Sequence, residues 1–186
     1  MYQPPAFEVS SMSGKRVYNV LFLCTGNSAR SIMAECSLSK WGAGRFRAFS
    51  AGSHTTGYVH SLALELLKSM NYPTASLRSK SWDEFSRAGG PPLDFVFTVC
   101  DKAAGETCPI WPGQPVTAHW GVEDPAAFVG SLDEQRAFFK KIFFELDARI
   151  RIFVSLRLED IDSMALQKRV DEIGRLAIPG LTAANS

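Results

Sequence analysis

The sequence predicts an α/β fold: a four-stranded parallel sheet, doubly wound, with an extra C-terminal helix. Short apolar runs, typical of strands buried on both faces, alternate along the chain with apolar residues at helical spacing. Such alternation is typical of parallel strands joined by helices that pack on the faces of the sheet. The 186 residues, 46% of them hydrophobic, are enough for a single core.

The predicted elements follow in order along the chain. Strands are expected at residues 20–23, 46–51, 93–99 and 115–118. Helices are expected after residue 30, over 59–70, around 82–85, over 139–154 and over about 160–175. Gly42-Ala43-Gly44 and Pro179-Gly180 are expected to end the first and last of these helices.

The predicted domain organisation has three parts. Residues 1–15 are polar and contain prolines without periodicity, which favours a flexible N-terminal arm. Residues 16–156 form the α/β domain, and residues 157–186 form a C-terminal helical extension and tail. This last helix is expected to pack either on the body of the domain or on a second subunit.

Composition excludes several classes of function. A net charge of +1 and a pI near 7.7 give no general attraction to nucleic acid or membranes. The chain shows neither an apolar membrane span nor a signal-peptide core, so its four cysteines are expected to be thiols in a reducing cytoplasm. His54, His60 and His119 lack the close spacings of metal ligands, and no metal site is expected.

The segment after the first strand has the features of an oxyanion-binding loop. Gly26 and Asn27 tolerate the positive φ that points successive backbone N–H groups inward. A helix begins at Arg30, so its positive N-terminus faces the same point, and the guanidinium can pair with two oxygens. The predicted oxyanion-binding residues are Thr25, Gly26, Asn27, Ser28, Ala29, Arg30 and Ser31.

Cys24 lies at the mouth of this loop. The positive field there is expected to lower the pKa of the thiol and produce a nucleophilic thiolate. The alternative is a buried cysteine that closes a strand, followed by an incidental arginine. The strand before, the Gly-Asn pair within and the helix after favour the catalytic interpretation.

Topology brings distant residues to the same place. In doubly wound sheets the ligand lies outside the carboxyl ends of the strands, and Cys24, Cys100 and Asp124 follow the first, third and fourth strands. Asp124, which precedes Pro125, is expected to protonate a leaving oxygen. The alternative for an Asp-Pro pair is a turn or a helix cap.

These motifs resemble a known family. The segment CTGNSARS resembles the phosphate-binding loop of the low-molecular-weight protein tyrosine phosphatase superfamily, in its arsenate reductase variant. The segments VCDKAAGETCPIWP and HWGVEDPA are similar to the thioredoxin-coupled arsenate reductases. The resemblance implies a relay in which Cys24 attacks arsenate, Cys100 attacks the resulting adduct, and Cys108 then forms a disulfide with Cys100.

We therefore expect an arsenate reductase without a bound cofactor, regenerated by an external thiol protein. Seven residues separate Cys100 from Cys108, one more than the thioredoxin-coupled pattern, so a thioredoxin-type and a glutaredoxin-type reductant both stay open. The first alternative is a low-molecular-weight protein tyrosine phosphatase acting on phosphate esters, and the second is a non-catalytic oxyanion-binding protein.

Two departures from the resembled families bear on these alternatives. Ala126 stands where the phosphatases usually place an aromatic residue, which favours the reductase, although Tyr58 or Trp120 could still line a cleft. Ser79-Lys80-Ser81 stands where arsenate reductases often carry Thr-Ser-Asp, so a potassium ion bound through that aspartate is not expected.

Overall fold

The computed structural model describes residues 16–105 and 109–177. Within them, four strands form one parallel sheet in the order β2-β1-β3-β4. The strands are β1 (Tyr18–Cys24), β2 (Phe46–Gly52), β3 (Phe95–Thr98) and β4 (Val116–His119). The predicted four-stranded parallel sheet is confirmed. Strand β2 is added on one side of β1, and β3 and β4 are added on the other side. The strand order therefore reverses between β1 and β3, and a ligand is expected at the carboxyl ends of these two strands.

The helices lie close to their predicted positions. They are α1 (Arg30–Trp41), α2 (Ser61–Ser69), α3 (Asp83–Ser86), α4 (Asp101–Gly105), α5 (Leu132–Val154) and α6 (Ser163–Arg175), with a short 3-10 turn at Pro125–Ala127. Helix α4 was not predicted. Helix α5 begins before its apolar stripe because Ser131 and Glu134 form a capping box, each accepting the other's backbone N–H.

The sheet is covered unequally on its two faces. Alternate residues of β1 point to opposite sides, so Val20 and Phe22 join the larger core with α1, α2, α5 and α6. Leu21 and Leu23 join a smaller cluster that contains Phe85 of α3. The larger side therefore carries the long helices, and the smaller side is closed mainly by a few aromatic residues.

Helix α6 packs on the body of the domain and covers the edge strand β4. The indole Nε1 of Trp120 donates to the carbonyl of Val170 at 2.9 Å, and Gln167 Nε2 donates to the carbonyl of Thr117 at 2.8 Å. Gly174 lies so close to β4 that a Cβ there would come within 2.2 Å of the carbonyl oxygen of His119. An edge strand with open backbone groups is thus shielded.

Some predictions concern segments beyond these bounds. The N-terminal arm at 1–15, Cys108 and the Pro179-Gly180 stop lie outside the described residues. In the part of the chain that is described, no helix combines the length and apolarity required to cross a bilayer.

Candidate active site

The loop between β1 and α1 turns its carbonyl groups away from the space that it encloses. The carbonyls of Thr25, Gly26 and Ser28 accept hydrogen bonds from backbone N–H groups of residues 54, 56 and 60, at 2.8–3.0 Å. Since C=O and N–H point in opposite directions across a trans peptide, the following N–H groups face inward. This is the geometry of a backbone nest for an anion.

Asn27 holds the centre of this loop. It is fully buried and has a φ of 44°, the left-handed conformation that the sequence predicted for this position. Its side-chain Nδ2 donates to the hydroxyls of Ser31 at 2.9 Å and Ser50 at 3.0 Å, and its Oδ1 accepts from the backbone N–H of Lys80 at 2.6 Å. The amide therefore uses its donors and acceptor to fix an otherwise unfavourable turn.

Cys24 lies at the end of β1 with only 3% of its surface exposed. Its Sγ is 2.9 Å from Ser31 Oγ and accepts the backbone N–H of Asn27 at 3.2 Å. Burial raises the pKa of the Cys24 thiol, and the hydrogen bonds from Ser31 and Asn27 lower it without cancelling the effect of burial. The predicted net lowering of this pKa is therefore wrong: desolvation exceeds the effect of the donors.

Arg30 reaches from the start of α1 to the loop that follows β4. Its Nη1 donates to the carbonyl of Val122 at 3.2 Å, and its Nη2 lies 3.0 Å from Asp124 Oδ2. The other carboxylate oxygen of Asp124 accepts the backbone N–H of Ala126 at 3.1 Å and caps the short 3-10 turn. Both interpretations of the Asp-Pro pair are thus compatible with the geometry, because one oxygen caps while the other faces Arg30.

Cys100 follows β3 and is 2% exposed. Its Sγ lies 3.5 Å from Thr25 Oγ1 and accepts the backbone N–H of Ala103, in α4, at 3.4 Å. A negative charge on Cys100 also raises the pKa of the Cys24 thiol, so the two sulfurs are close enough to interact. A second thiol therefore stands beside the first.

Most of the predicted site residues line one cavity of about 520 Å³ outside the carboxyl ends of the strands. Its lining includes Cys24, Thr25, Gly26, Ser28, Ala29, Arg30, Cys100 and Asp124. Asn27 and Ser31 are both buried and support the loop from behind. The sequence analysis therefore placed Cys24, Cys100 and Asp124 at the correct edge.

In the segment that follows β2, the sequence analysis named only Tyr58 as a possible lining residue, which is confirmed, and missed the others. His54, Thr56, Tyr58 and His60 also line the cavity, and backbone N–H groups of this segment bind the loop carbonyls. Its position could have been predicted from the sequence, because this segment follows the carboxyl end of β2 just as Cys24, Cys100 and Asp124 follow the other three strands. The suggestion that Trp120 could line the cleft is wrong, since its ring is fully buried in the core.

Comparison with known proteins identifies the family. The model of the low molecular weight phosphotyrosine protein phosphatase family matches residues 19–169. The chain belongs to this family. The match includes the loop at 24–31, both described cavity cysteines, Asp124 and the first half of α6.

Members of this family differ in their named activities. The chain is 34% identical over 142 residues to an arsenate reductase of Shouchella clausii, covering 76% of this chain and 96% of that protein. It is 32% identical over 142 residues to an arsenate reductase of Bacillus subtilis, with the same coverage of both chains.

Solved structures give the same picture of the fold. A thioredoxin-dependent arsenate reductase of Corynebacterium glutamicum has 26% identity and a TM-score of 0.57; the match covers 78% of this chain and only 64% of that one. An arsenate reductase of Archaeoglobus fulgidus has 26% identity and a TM-score of 0.58, over 74% and 99% of the two chains. A phosphatase of this family from Vibrio cholerae has 20% identity, a TM-score of 0.60 and coverage of 77% and 99%, which is a likeness of fold alone.

Proposed function

We propose that this protein is an arsenate reductase that converts arsenate to arsenite through an intramolecular disulfide relay. The proposal is supported by family membership and by curated relatives that carry this activity in their names. The single observation that carries it is the position of Cys100 beside the loop of Cys24. Hydrolysis of a cysteinyl-phosphate needs only water, whereas reduction of arsenate needs two electrons that a pair of thiols can supply.

In the first step the Cys24 thiolate attacks the arsenic atom of arsenate. The inward N–H groups of residues 25–31 and the fork of Arg30 bind its oxygens and stabilise the negative charge. A sulfur–arsenic bond forms, an arsenic–oxygen bond breaks, and Asp124 gives the departing hydroxide the proton that makes it water.

In the second step the Cys100 thiolate attacks the sulfur of Cys24. A disulfide forms between the two cysteines, and the electron pair of the sulfur–arsenic bond stays on arsenic, which leaves as arsenite. Cys108 then attacks Cys100, so that Cys24 is released as a thiolate and the oxidised pair becomes Cys100–Cys108. An external dithiol protein of the thioredoxin or glutaredoxin type reduces this pair and closes the cycle in the reducing cytoplasm.

The first experiment is a thiol count. Fully reduced protein is mixed with arsenate in the absence of air and of added reductant, and free thiols and arsenite are measured. We expect two thiols to be lost for each arsenite released, because one disulfide supplies two electrons. Peptide mapping is expected to find the Cys100–Cys108 pair in the wild type and the Cys24–Cys100 pair in Cys108→Ser.

Three variants make this experiment decisive. Cys24→Ser and Cys100→Ser should release no arsenite, and Cys108→Ser should release one equivalent and then stall with any thioredoxin-type reductant. Cys36→Ala is the matched control, because Cys36 is buried within α1 and does not line the cavity. Steady turnover in Cys108→Ser would contradict the three-cysteine relay.

A phosphatase is the second candidate, and the rim of the cavity favours it in one respect. Tyr58 lines the cavity with 61% of its surface exposed, and a cavity of about 520 Å³ has room for more than a tetrahedral anion. Turnover of an aryl phosphate with no loss of thiols on arsenate would assign this activity. Alkylation of Cys24 at an ordinary rate, without protection by either anion, would instead indicate a non-catalytic protein.

A further inference from the structure

A lysine is buried behind the oxyanion loop, on the side away from the cavity. Lys80 has a side chain only 9% exposed, and its ammonium has three oxygen acceptors. Nζ lies 3.3 Å from Glu35 Oε2, 3.2 Å from Ser50 Oγ and 3.2 Å from the carbonyl of Arg78. The donors of the ammonium are thus satisfied, as burial of a charge requires.

The hydroxyl of Ser50 connects this ammonium to the loop. It donates to the carboxylate of Glu35 in a short hydrogen bond and accepts from both Lys80 Nζ and Asn27 Nδ2. One donor and two acceptor positions are all that a hydroxyl has, so its orientation is fixed. Lys80 also binds Asn27 directly, because its backbone N–H donates to Asn27 Oδ1.

The network continues to the sulfur of Cys24. Asn27 Nδ2 also donates to Ser31 Oγ, which leaves the hydroxyl hydrogen of Ser31 available for Cys24 Sγ at 2.9 Å. That hydrogen bond favours the thiolate and opposes the effect of burial. The hydrogen bonds therefore lead without a break from the ammonium of Lys80 to the sulfur.

We propose that Lys80 is a positioning residue: its buried ammonium fixes Glu35 and Ser50, and through Asn27 directs the hydroxyl of Ser31 at Cys24. The proposal rests on Cys24 as the nucleophile of the proposed function. Without the ammonium, the carboxylate of Glu35 has lost its counter-charge, and Ser50 is free to turn. Asn27, at a positive φ, then has a weaker hold on the loop.

The test is the pH dependence of alkylation at Cys24, measured site by site with iodoacetamide and peptide mass spectrometry. In Lys80→Met, which keeps the length of the side chain and removes its charge, we expect the midpoint to move up by about one pH unit, a roughly ten-fold loss of thiolate below the midpoint. Lys68→Met is the matched control, because it makes the same chemical change at an exposed position of α2. Its profile should match the wild type.

A second variant separates positioning from folding. Ser50→Ala removes the hydroxyl that joins Lys80 to Asn27 and leaves the ion pair with Glu35 in place. We expect the same upward displacement of the profile, and a double variant Lys80→Met/Ser50→Ala that adds little to either single one, because both act through one route. If Lys80→Met does not fold, the profile of Ser50→Ala decides.

The outcomes distinguish this proposal from the proposed function. An unchanged Cys24 profile in Lys80→Met, or in Ser50→Ala, overturns the role of Lys80 even if arsenate still protects Cys24. Failure of arsenate to protect Cys24 in the wild type overturns the proposed function instead. A uniform loss of stability with an unmoved profile would mean that Lys80 is structural only.

Discussion

The guanidinium of Arg30 and the carboxylate of Asp124 form an ion pair, with Nη2 and Oδ2 separated by 3.0 Å. The two groups are 94 positions apart in the sequence and are proposed for different tasks: Arg30 binds negative charge and Asp124 delivers a proton. An oxyanion in the loop competes with Asp124 for the same guanidinium. Binding of substrate is therefore expected to release the carboxylate, which can then carry the proton for the leaving oxygen.

The first prediction concerns Asp124. Asp124→Asn keeps an oxygen to cap the 3-10 turn but has no acidic proton, so kcat for arsenate reduction should fall about 100-fold or more. The measurement is arsenite release in a single turnover, which requires the first step, and alkylation of Cys24 should be retained. Asp133→Asn, an exposed position at the start of α5, serves as the control. A kcat within about two-fold of the wild type would remove Asp124 from the proposed chemistry.

The second prediction concerns Ser31. Ser31→Ala removes a hydrogen bond that lowers the pKa of the Cys24 thiol, so this pKa, already raised by burial, should rise further. At a fixed pH below the midpoint less thiolate is present, so alkylation slows, and the profile moves to higher pH. Ser69→Ala, an exposed residue in α2, is the control. A profile that moves to lower pH would contradict the assigned direction of the hydrogen bond.

The third prediction concerns the access of reagents to Cys100, which the contacts of His119 are expected to limit. His119 contacts Thr98 Oγ1 through Nδ1 at 2.9 Å and Asp101 Oδ1 through Nε2 at 3.0 Å, so it ties together the residues on either side of Cys100. His119→Ala should speed the alkylation of Cys100 several-fold and should also speed hydrogen exchange in α4. The free energy of unfolding should change by less than about 1 kcal/mol, because the Asp101 carboxylate is exposed.

A conservative variant at Asp101 tests whether the charge of Asp101 or its hydrogen bond to His119 limits access to Cys100. Asp101→Asn keeps an oxygen acceptor for His119, so the alkylation rate of Cys100 in this variant should stay close to that of the wild type. Equal reactivity of Cys100 in His119→Ala and wild type would show that α4 opens without breaking these contacts.

The fourth prediction concerns α6. In Gly174→Ala the new methyl group would lie 2.2 Å from the carbonyl oxygen of His119, so helix and strand must separate. We expect a loss of about 1–3 kcal/mol in the free energy of unfolding, measured by urea with the fluorescence of buried Trp120. Gly105→Ala, where a Cβ meets nothing within 4 Å, is the control. Equal stability of the two variants would mean that α6 moves without cost.

Much of the fold could be predicted because strand and helix leave different periodicities in the chain. The buried runs at 20–23 and 46–51 lie within β1 and β2, and the stop at Gly42 coincides with the end of α1. Helix α4 was missed because five residues are too few for an apolar period to appear. The start of α5 was missed because a capping box, and not apolar spacing, defines it.

The candidate site was predictable where topology decides position. Residues that follow parallel strands share an edge, which is why Cys24, Cys100 and Asp124 could be placed together from sequence alone. The sign of the pKa shift at Cys24 could not be predicted in this way. The donors around the sulfur are visible in the motif, but the desolvation that outweighs them depends on how completely the folded chain encloses it.

The sequence by itself determined the parallel α/β architecture, the oxyanion loop and the family to which the chain belongs, because local patterns encode each of these. Only the tertiary structure decided that Lys80 joins Glu35 and Ser50 behind the loop, that Arg30 pairs with Asp124, and that α6 seals β4. These contacts join residues that are 30 to 94 positions apart and follow no period. The energies of these contacts depend on the distances between the atoms and on their burial, and neither can be read from the sequence.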